Sequence, residues 1–179
     1  PPSRIILQRL KEQIGTWLYP IHRLDVPTTG VLLYAKSSPS ARTWSEILSH
    51  QKTKKKYQAI VRGFTEDQGL IDISLPSDSS DRLLEATTYF KTLRRCELPF
   101  CVGKKYSTAR YSWIEIQIKS GRFHQIRRHL NRISHPVIGD SEHGDTRHNR
   151  FFREKLKVPG LCLHASQIHM VVNGKLVVI

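Results

Sequence analysis

In Ile114-Glu115-Ile116-Gln117-Ile118 apolar and polar side chains alternate at every position, and a period of two fits an extended strand with one buried face. The period changes a few residues later. Over 122–133, Phe123, Ile126, Leu130 and Ile133 recur at three- and four-residue spacing, which lines one side of a helix. A strand and a helix that each carry one apolar side bury those sides together, so the chain is expected to build a sheet with helices packed on it. Tyr57-Gln58-Ala59-Ile60-Val61 and the stretches 70–75 and 86–93 are further strands by β-branched content and alternation, and 109–118 is the longest. The run 31–35 is apolar throughout, as in a strand covered on both faces. Residues 161–179 read as two strands joined at Asn173-Gly174. Helices are expected over 5–15, where Ile6, Leu10 and Ile14 share a face, and over 40–51, where Trp44, Ile47 and Leu48 do. Hairpin-like connections outnumber crossovers, which predicts an α/β (α+β) chain with a mixed, mainly antiparallel sheet flanked by helices. No repeat or low-complexity linker interrupts it, so 1–179 is read as a single domain.

Charge narrows the partner. Lys plus Arg number 29 against 15 Asp plus Glu, a formal net charge of +14, which concentrates polyanions at the surface and favours RNA or DNA. An acidic membrane surface would also suit the charge, but no strongly basic amphipathic helix and no long apolar run supports it, so no membrane association is expected. Nothing resembles a secretory signal peptide. The three cysteines, Cys96, Cys101 and Cys162, are odd in number and form no C-x-x-C pair. Reduced thiols in the cytoplasm are the expectation, and no disulfide framework or structural zinc site. His124 and His129 are five apart on a helix, so their rings diverge by roughly 140°, and no H-x-x-x-H or H-E-x-x-H occurs; no metal is expected. Nor is there a nucleotide-phosphate motif or a G-x-S-x-G elbow, so no nucleotide cofactor is expected and a serine hydrolase is disfavoured.

Two residues stand out before any comparison. Asp25 lies on a loop bounded by Pro27 and Gly30, outside any regular element. Arg127 lies roughly 40° from Phe123 around the 122–133 helix, on the margin of the apolar stripe, half buried and in need of an anion. A salt bridge that only ties helix to sheet satisfies that need as well as a catalytic pair does. Arg128 and Arg132 point to the opposite, solvated side.

The segment His22-Arg23-Leu24-Asp25-Val26-Pro27-Thr28-Thr29-Gly30-Val31-Leu32-Leu33 resembles the H-R-L-D-x-x-T-[ST]-G-[LV]-L-L motif of RluA-type RNA pseudouridine synthases. Lys55-Lys56-Tyr57-Gln58-Ala59-Ile60-Val61-Arg62-Gly63 is similar to their second motif. Gly121 through Leu130 with His135-Pro136-Val137-Ile138-Gly139-Asp140 is similar to the third, and Leu163-His164-Ala165 to a late one. Four motifs in the family's order cover most of the chain. The segment 139–150, G-D-S-E-H-G-D-T-R-H-N-R, resembles the tRNA-modifying TruC branch of that family.

The resemblance implies the pseudouridine synthase fold with a catalytic cleft on one face, and a monomer that isomerises uridine in RNA without a cofactor. For the TruC branch it implies a tRNA uridine at position 65, near the junction of acceptor and T stems. It implies Asp25 as the reacting carboxylate, acting as nucleophile or base, Arg127 as its salt-bridge partner, and Tyr57 as the residue that stacks on the flipped uracil. Arg23 would fill the space the uridine leaves, with His22 beside it, and Lys52, Lys54, Lys55, Lys56, Arg128, Arg132, Arg147 and Arg150 would contact RNA, chiefly its backbone. The chain departs from the pattern at its ends. The family's opening strand is incomplete, with Pro1-Pro2-Ser3 as its remnant, the tail stops early, and 75–84 is short. Two rival readings stay open: a synthase acting on ribosomal RNA, and a non-catalytic RNA-binding module on the same fold.

Overall fold

The structure is a computed structural model that describes residues 2–50, 52–77, 80, 82–103 and 105–179, with side chains described from Ile6 onward. In chain order the elements are α1 (Pro2–Ile14), β1 (Tyr19–Pro20), β2 (Thr29–Gly30), β3 (Tyr34–Ala35), α2 (Ser38–Ser49), β4 (Lys54–Arg62), β5 (Gln68–Asp72), β6 (Leu75–Pro76), β7 (Leu83–Leu84), β8 (Thr87–Leu98), β9 (Ala109–Ile118), α3 (Gln125–Arg132), α4 (Thr146–Glu154), β10 (Leu163–Val172) and β11 (Lys175–Val178). Six strands form an antiparallel path in the order β11-β10-β4-β9-β8-β5, and β2 adds to β10 in the parallel sense. The expected mixed, mainly antiparallel sheet with flanking helices is the fold observed.

The alternation that opened the sequence reading sits at the centre of this sheet. Ile114, Ile116 and Ile118 of β9 are 0–5% exposed and cluster with Ala59 and Val61 of β4, which pair across the strands with Ile114 and Ser112. Ile126 and Leu130 of α3 close over them, with Phe90, Leu161 and Leu163 completing the cluster. Phe152 of α4 packs with Tyr111 and Ile138 in a second cluster, and Leu48 of α2 covers Ile168 and Met170 in a third. In β10 the buried residues run Leu163, Ala165, then Ile168 and Met170. The register shifts between Ala165 and Gln167, and that extra residue keeps both pairs on the covered side of the sheet.

Several local expectations are corrected. Only Tyr34–Ala35 of the 31–35 run pairs as a strand; Val31 and Leu33 instead pack as partly buried chain against the cluster of α2 and β10. The first helix includes Pro2 and Ser3, so these are not a strand remnant, and Pro1 lies outside the described residues. The second begins earlier, where the Ser37 side chain caps Ser40 N–H, and its expected last residue, Gln51, also lies outside them. The 122–133 helix shortens to α3 because His124 adopts a left-handed backbone, φ 49°. That twist takes Phe123 off the buried stripe and leaves it 42% exposed, while Arg127 is 1% exposed rather than half buried. Helix α4 has no counterpart in the sequence reading. No described helix is long and apolar enough to cross a membrane.

One buried polar group sets a pH dependence. His129 is wholly buried; its Nε2 faces the Ile73 carbonyl at 2.9 Å and its Nδ1 faces Thr88 Oγ1 at 2.9 Å. A carbonyl only accepts, so Nε2 carries the proton and Nδ1 accepts from the threonine. Burial lowers the pKa of His129, and also those of His22, His143 and His148, below the ordinary 6.5. These neutral rings contribute stability above 6.5 that is lost as pH falls below it, since the unfolded chain takes up protons first. The urea midpoint should therefore fall between pH 7.5 and 5.5, and His129→Gln should flatten that decline. An unchanged slope in the variant would remove His129 from the account.

Candidate active site

The 22–30 loop is fixed at both ends. Ile21 N–H donates to the Leu33 carbonyl at 3.2 Å, and Leu33 N–H donates to His22 Nε2 at 3.1 Å, so His22 braces the loop. Thr28 N–H closes a turn onto the Asp25 carbonyl at 2.8 Å. Beyond it β2 lies along β10: Val31 N–H donates to the Ala165 carbonyl at 2.9 Å, and Thr29 Oγ1 meets His164 Nδ1 at 2.8 Å. The approach is so close that a Cβ on Gly30 would lie 2.1 Å from Ala165 O, and its φ of +115° is one that only glycine adopts freely. Leu163-His164-Ala165 thus acts as the strip on which the Asp25 loop docks.

Asp25 faces two side-chain nitrogens. Its Oδ2 lies 3.5 Å from Arg127 Nη1 and 3.9 Å from His124 Nε2. Tyr57, on β4, shares the same cleft with Asp25, Arg23, Thr28 and Gln125. Burial first, and the Asp25 charge second, push the Tyr57 phenol up to about 12, so at neutral pH it is an O–H donor.

The expected Asp25–Arg127 pair is present in proximity, but the main anionic partner of Arg127 is another residue. Nε and Nη2 of Arg127 form a bidentate bridge to Asp140 at 2.8 and 2.7 Å, and Nη2 also reaches Glu142 Oε1 at 3.2 Å. Nη1 is buried and has no hydrogen-bond acceptor among the described residues. The guanidinium is therefore clamped by one edge and presents the remaining nitrogen toward Asp25. Burial alone would raise the Asp140 pKa, but the Arg127 hydrogen bonds and the backbone N–H groups of His143 and Glu142 more than offset it and hold the carboxyl low.

The 139–150 segment builds this clamp. Gly139 has φ +81° and lies so near Gly160 that a Cβ would meet its carbonyl at 2.0 Å. Asn149 of α4 accepts from Gly139 N–H and donates to the Asp140 carbonyl, both at 2.7 Å. Asp145 caps α4 by accepting from Arg147 N–H and His148 N–H, and pairs with Arg62. Helix α4 thus holds Asp140 under Arg127.

Arg23 lines the Asp25 cleft, and Arg128 lies in a neighbouring one, half buried with Nη1 on the Pro76 and Phe123 carbonyls. Lys52, Lys54, Arg132, Arg147 and Arg150 are exposed and line neither cleft. Lys55 is partly buried, which lowers its pKa, and Lys56 is engaged with Glu115 at 3.2 Å. Asp140, His124 and Phe123 were not singled out as site residues from sequence. A buried arginine in search of an anion, followed by Gly139-Asp140, was the signal available for the first. Folding also gathers His124, Glu142 and His143, whose ligand-type atoms lie within 4.8 Å of one another. Those donors are already engaged: His124 Nδ1 with His143 Nε2 at 3.0 Å, and Glu142 with Arg127.

Breaking a buried ion pair leaves one charge uncompensated, at a cost of roughly 3–5 kcal/mol. Asp140→Ala should lower the unfolding free energy by about that amount, and Asp25→Ala by much less, as read by urea denaturation. Equal losses would contradict the division of labour between the two carboxylates.

Residues 3–132 match the family profile described as RNA pseudouridylate synthase. The tRNA pseudouridine synthase C of Vibrio vulnificus (strain CMCP6) is 38% identical over 179 residues, 94% of this chain and 73% of that protein. That of Pectobacterium carotovorum subsp. carotovorum is 40% identical over 177 residues, 93% of this chain and 46% of the relative. The chain thus spans most of the first relative and about half of the second. The solved structure of human RNA pseudouridylate synthase domain containing 1 superposes with a TM-score of 0.78 at 20% identity, over 97% of this chain and 72% of that one, and so shares the fold.

Proposed function

The chain belongs to the RNA pseudouridylate synthase family, and from that premise we propose that it isomerises a uridine of tRNA to pseudouridine, acting as one catalytic domain. The tRNA substrate is taken from the named activity of its relatives, and position 65 from the likeness of 139–150 to the TruC pattern. The observation that carries the reading is the meeting of Asp25 and Tyr57 in one cleft, with the buried Nη1 of Arg127 3.5 Å behind Asp25 Oδ2 and bonded to no other acceptor among the described residues.

The reaction breaks the N1–C1′ bond of uridine, turns the uracil and forms a C5–C1′ bond; C5 loses a proton and N1 gains one, with no net oxidation. Asp25 is the reacting group, as nucleophile or as base, at a ribose whose anomeric carbon becomes electron-poor. Arg127 orients it through Nη1 and is itself kept from drifting by Asp140. Tyr57 lies against the uracil and donates from its protonated hydroxyl. The uridine must leave its stack to reach Asp25, and Arg23, which lines the same cleft, replaces it in the helix. The exposed Lys52, Lys54, Arg132, Arg147 and Arg150 hold the RNA backbone.

The test is incubation with unmodified tRNA and with ribosomal RNA, followed by mapping of pseudouridine. Product at one tRNA uridine is expected. Product on ribosomal RNA alone would overturn the tRNA reading, and none on either would favour a binding module. Asp25→Asn should lower the rate by more than about a thousandfold, roughly 4 kcal/mol of barrier, with tRNA affinity nearly unchanged. Persistent turnover would remove Asp25 from its role.

A further inference from the structure

Phe123 is an aromatic ring that the core does not use. It is 42% exposed, and one face stacks on His124 with ring centroids 3.7 Å apart and planes 21° from parallel. His124 is 7% exposed and held from behind by His143 at 3.0 Å. The phenyl ring therefore rests on a fixed support, and its exposure belongs to the opposite face and edge. Phe123 also lines both the Asp25 cleft and the neighbouring cleft of Arg128, Pro76 and His143, so it forms the wall between them. Arg122, exposed beside it, is steered by a bond from Nε to the Glu85 carbonyl at 3.2 Å.

We propose that Phe123 is a stacking platform for one unpaired base of the RNA, the neighbour of the uridine held at Asp25, with Arg122 and Arg128 serving the phosphates on either side of it. This deepens the reading of the Asp25 cleft as a site for a flipped nucleotide and rests on it. Withdrawing a uridine from a helix strips its neighbour of a stacking partner, and a flat aromatic surface beside the cleft replaces that partner. A single ring between guanidinium groups, on a chain of net charge +14, matches an alternation of flat base and anionic phosphate. The left-handed backbone at His124 is what turns Phe123 out of the helix stripe and onto this wall. Because stacking tolerates any base, the platform contributes affinity and register more than sequence choice.

The test compares Phe123→Leu and Phe123→Trp in the Asp25→Asn background, measuring the dissociation constant for unmodified tRNA. The leucine variant is expected to bind roughly 5- to 100-fold more weakly, the tryptophan variant about as tightly as the parent, and melting temperatures should not move, since the side chain is outside the core. Binding by the leucine variant equal to the parent, or equal losses in both variants, would overturn the platform. Pseudouridine formation by the wild-type chain on the same tRNA is recorded alongside. If the wild type forms none, the reading of the cleft fails, and the leucine–tryptophan comparison still decides whether Phe123 stacks on RNA. If the parent does not bind tRNA at all, both fall.

Discussion

Everything around the cleft depends on keeping one guanidinium dry. Arg127 is 1% exposed inside the layer between α3 and the sheet, where an unpaired cation would cost several kcal/mol. The chain meets that constraint with a second buried ion, Asp140, and meets the demand of Asp140 in turn with two backbone N–H groups. The carbonyl and preceding amide are then tied to Asn149. Such an assembly is an expensive way to join a helix to a loop, and apolar residues would hold the two together at less cost. What it achieves is orientation. With Nε and Nη2 committed, the plane of the guanidinium is fixed, and Nη1 can face only one way, toward Asp25.

The second carboxylate sits under different constraints. Asp25 is on a loop, 27% exposed at its side chain, and lines an open cleft. Its position comes from backbone rather than from burial, through the turn at Thr28 and the docking of β2 on β10. One carboxylate is thus buried and the other open to the cleft, and they meet the same arginine on different nitrogens.

Much of this was legible in the sequence where a side-chain period reported a buried face. The β9 alternation, the β4 strand and the Asn173-Gly174 hairpin all appear where their patterns placed them. Helix α4 was invisible because Thr146–Glu154 carries only Phe151 and Phe152 as apolar residues, adjacent rather than three or four apart. Its cap at Asp145 and its contacts, not its period, make it a helix. Phe123 was misplaced because a wheel assumes an unbroken helix, and the left-handed residue at His124 starts a new one. The partners of Arg127 were half legible for a related reason: its burial demanded an anion, and Asp25, which the motif offered, does lie 3.5 Å from Nη1, but the fold supplied Asp140 on the other edge as well. Proximity in space between segments 13 residues apart, linked by a loop with Gly139 at positive φ, has no periodic signature.

Arg127 is thus both neutralised and oriented by Asp140, and only its remaining nitrogen, Nη1, faces Asp25. A double-mutant cycle on the unfolding free energy tests this arrangement, pairing Arg127→Met with Asp140→Ala and, separately, with Asp25→Ala. The account predicts a coupling of roughly 3 kcal/mol or more for Arg127 with Asp140 and a clearly smaller one for Arg127 with Asp25. A larger coupling to Asp25 than to Asp140 would contradict it.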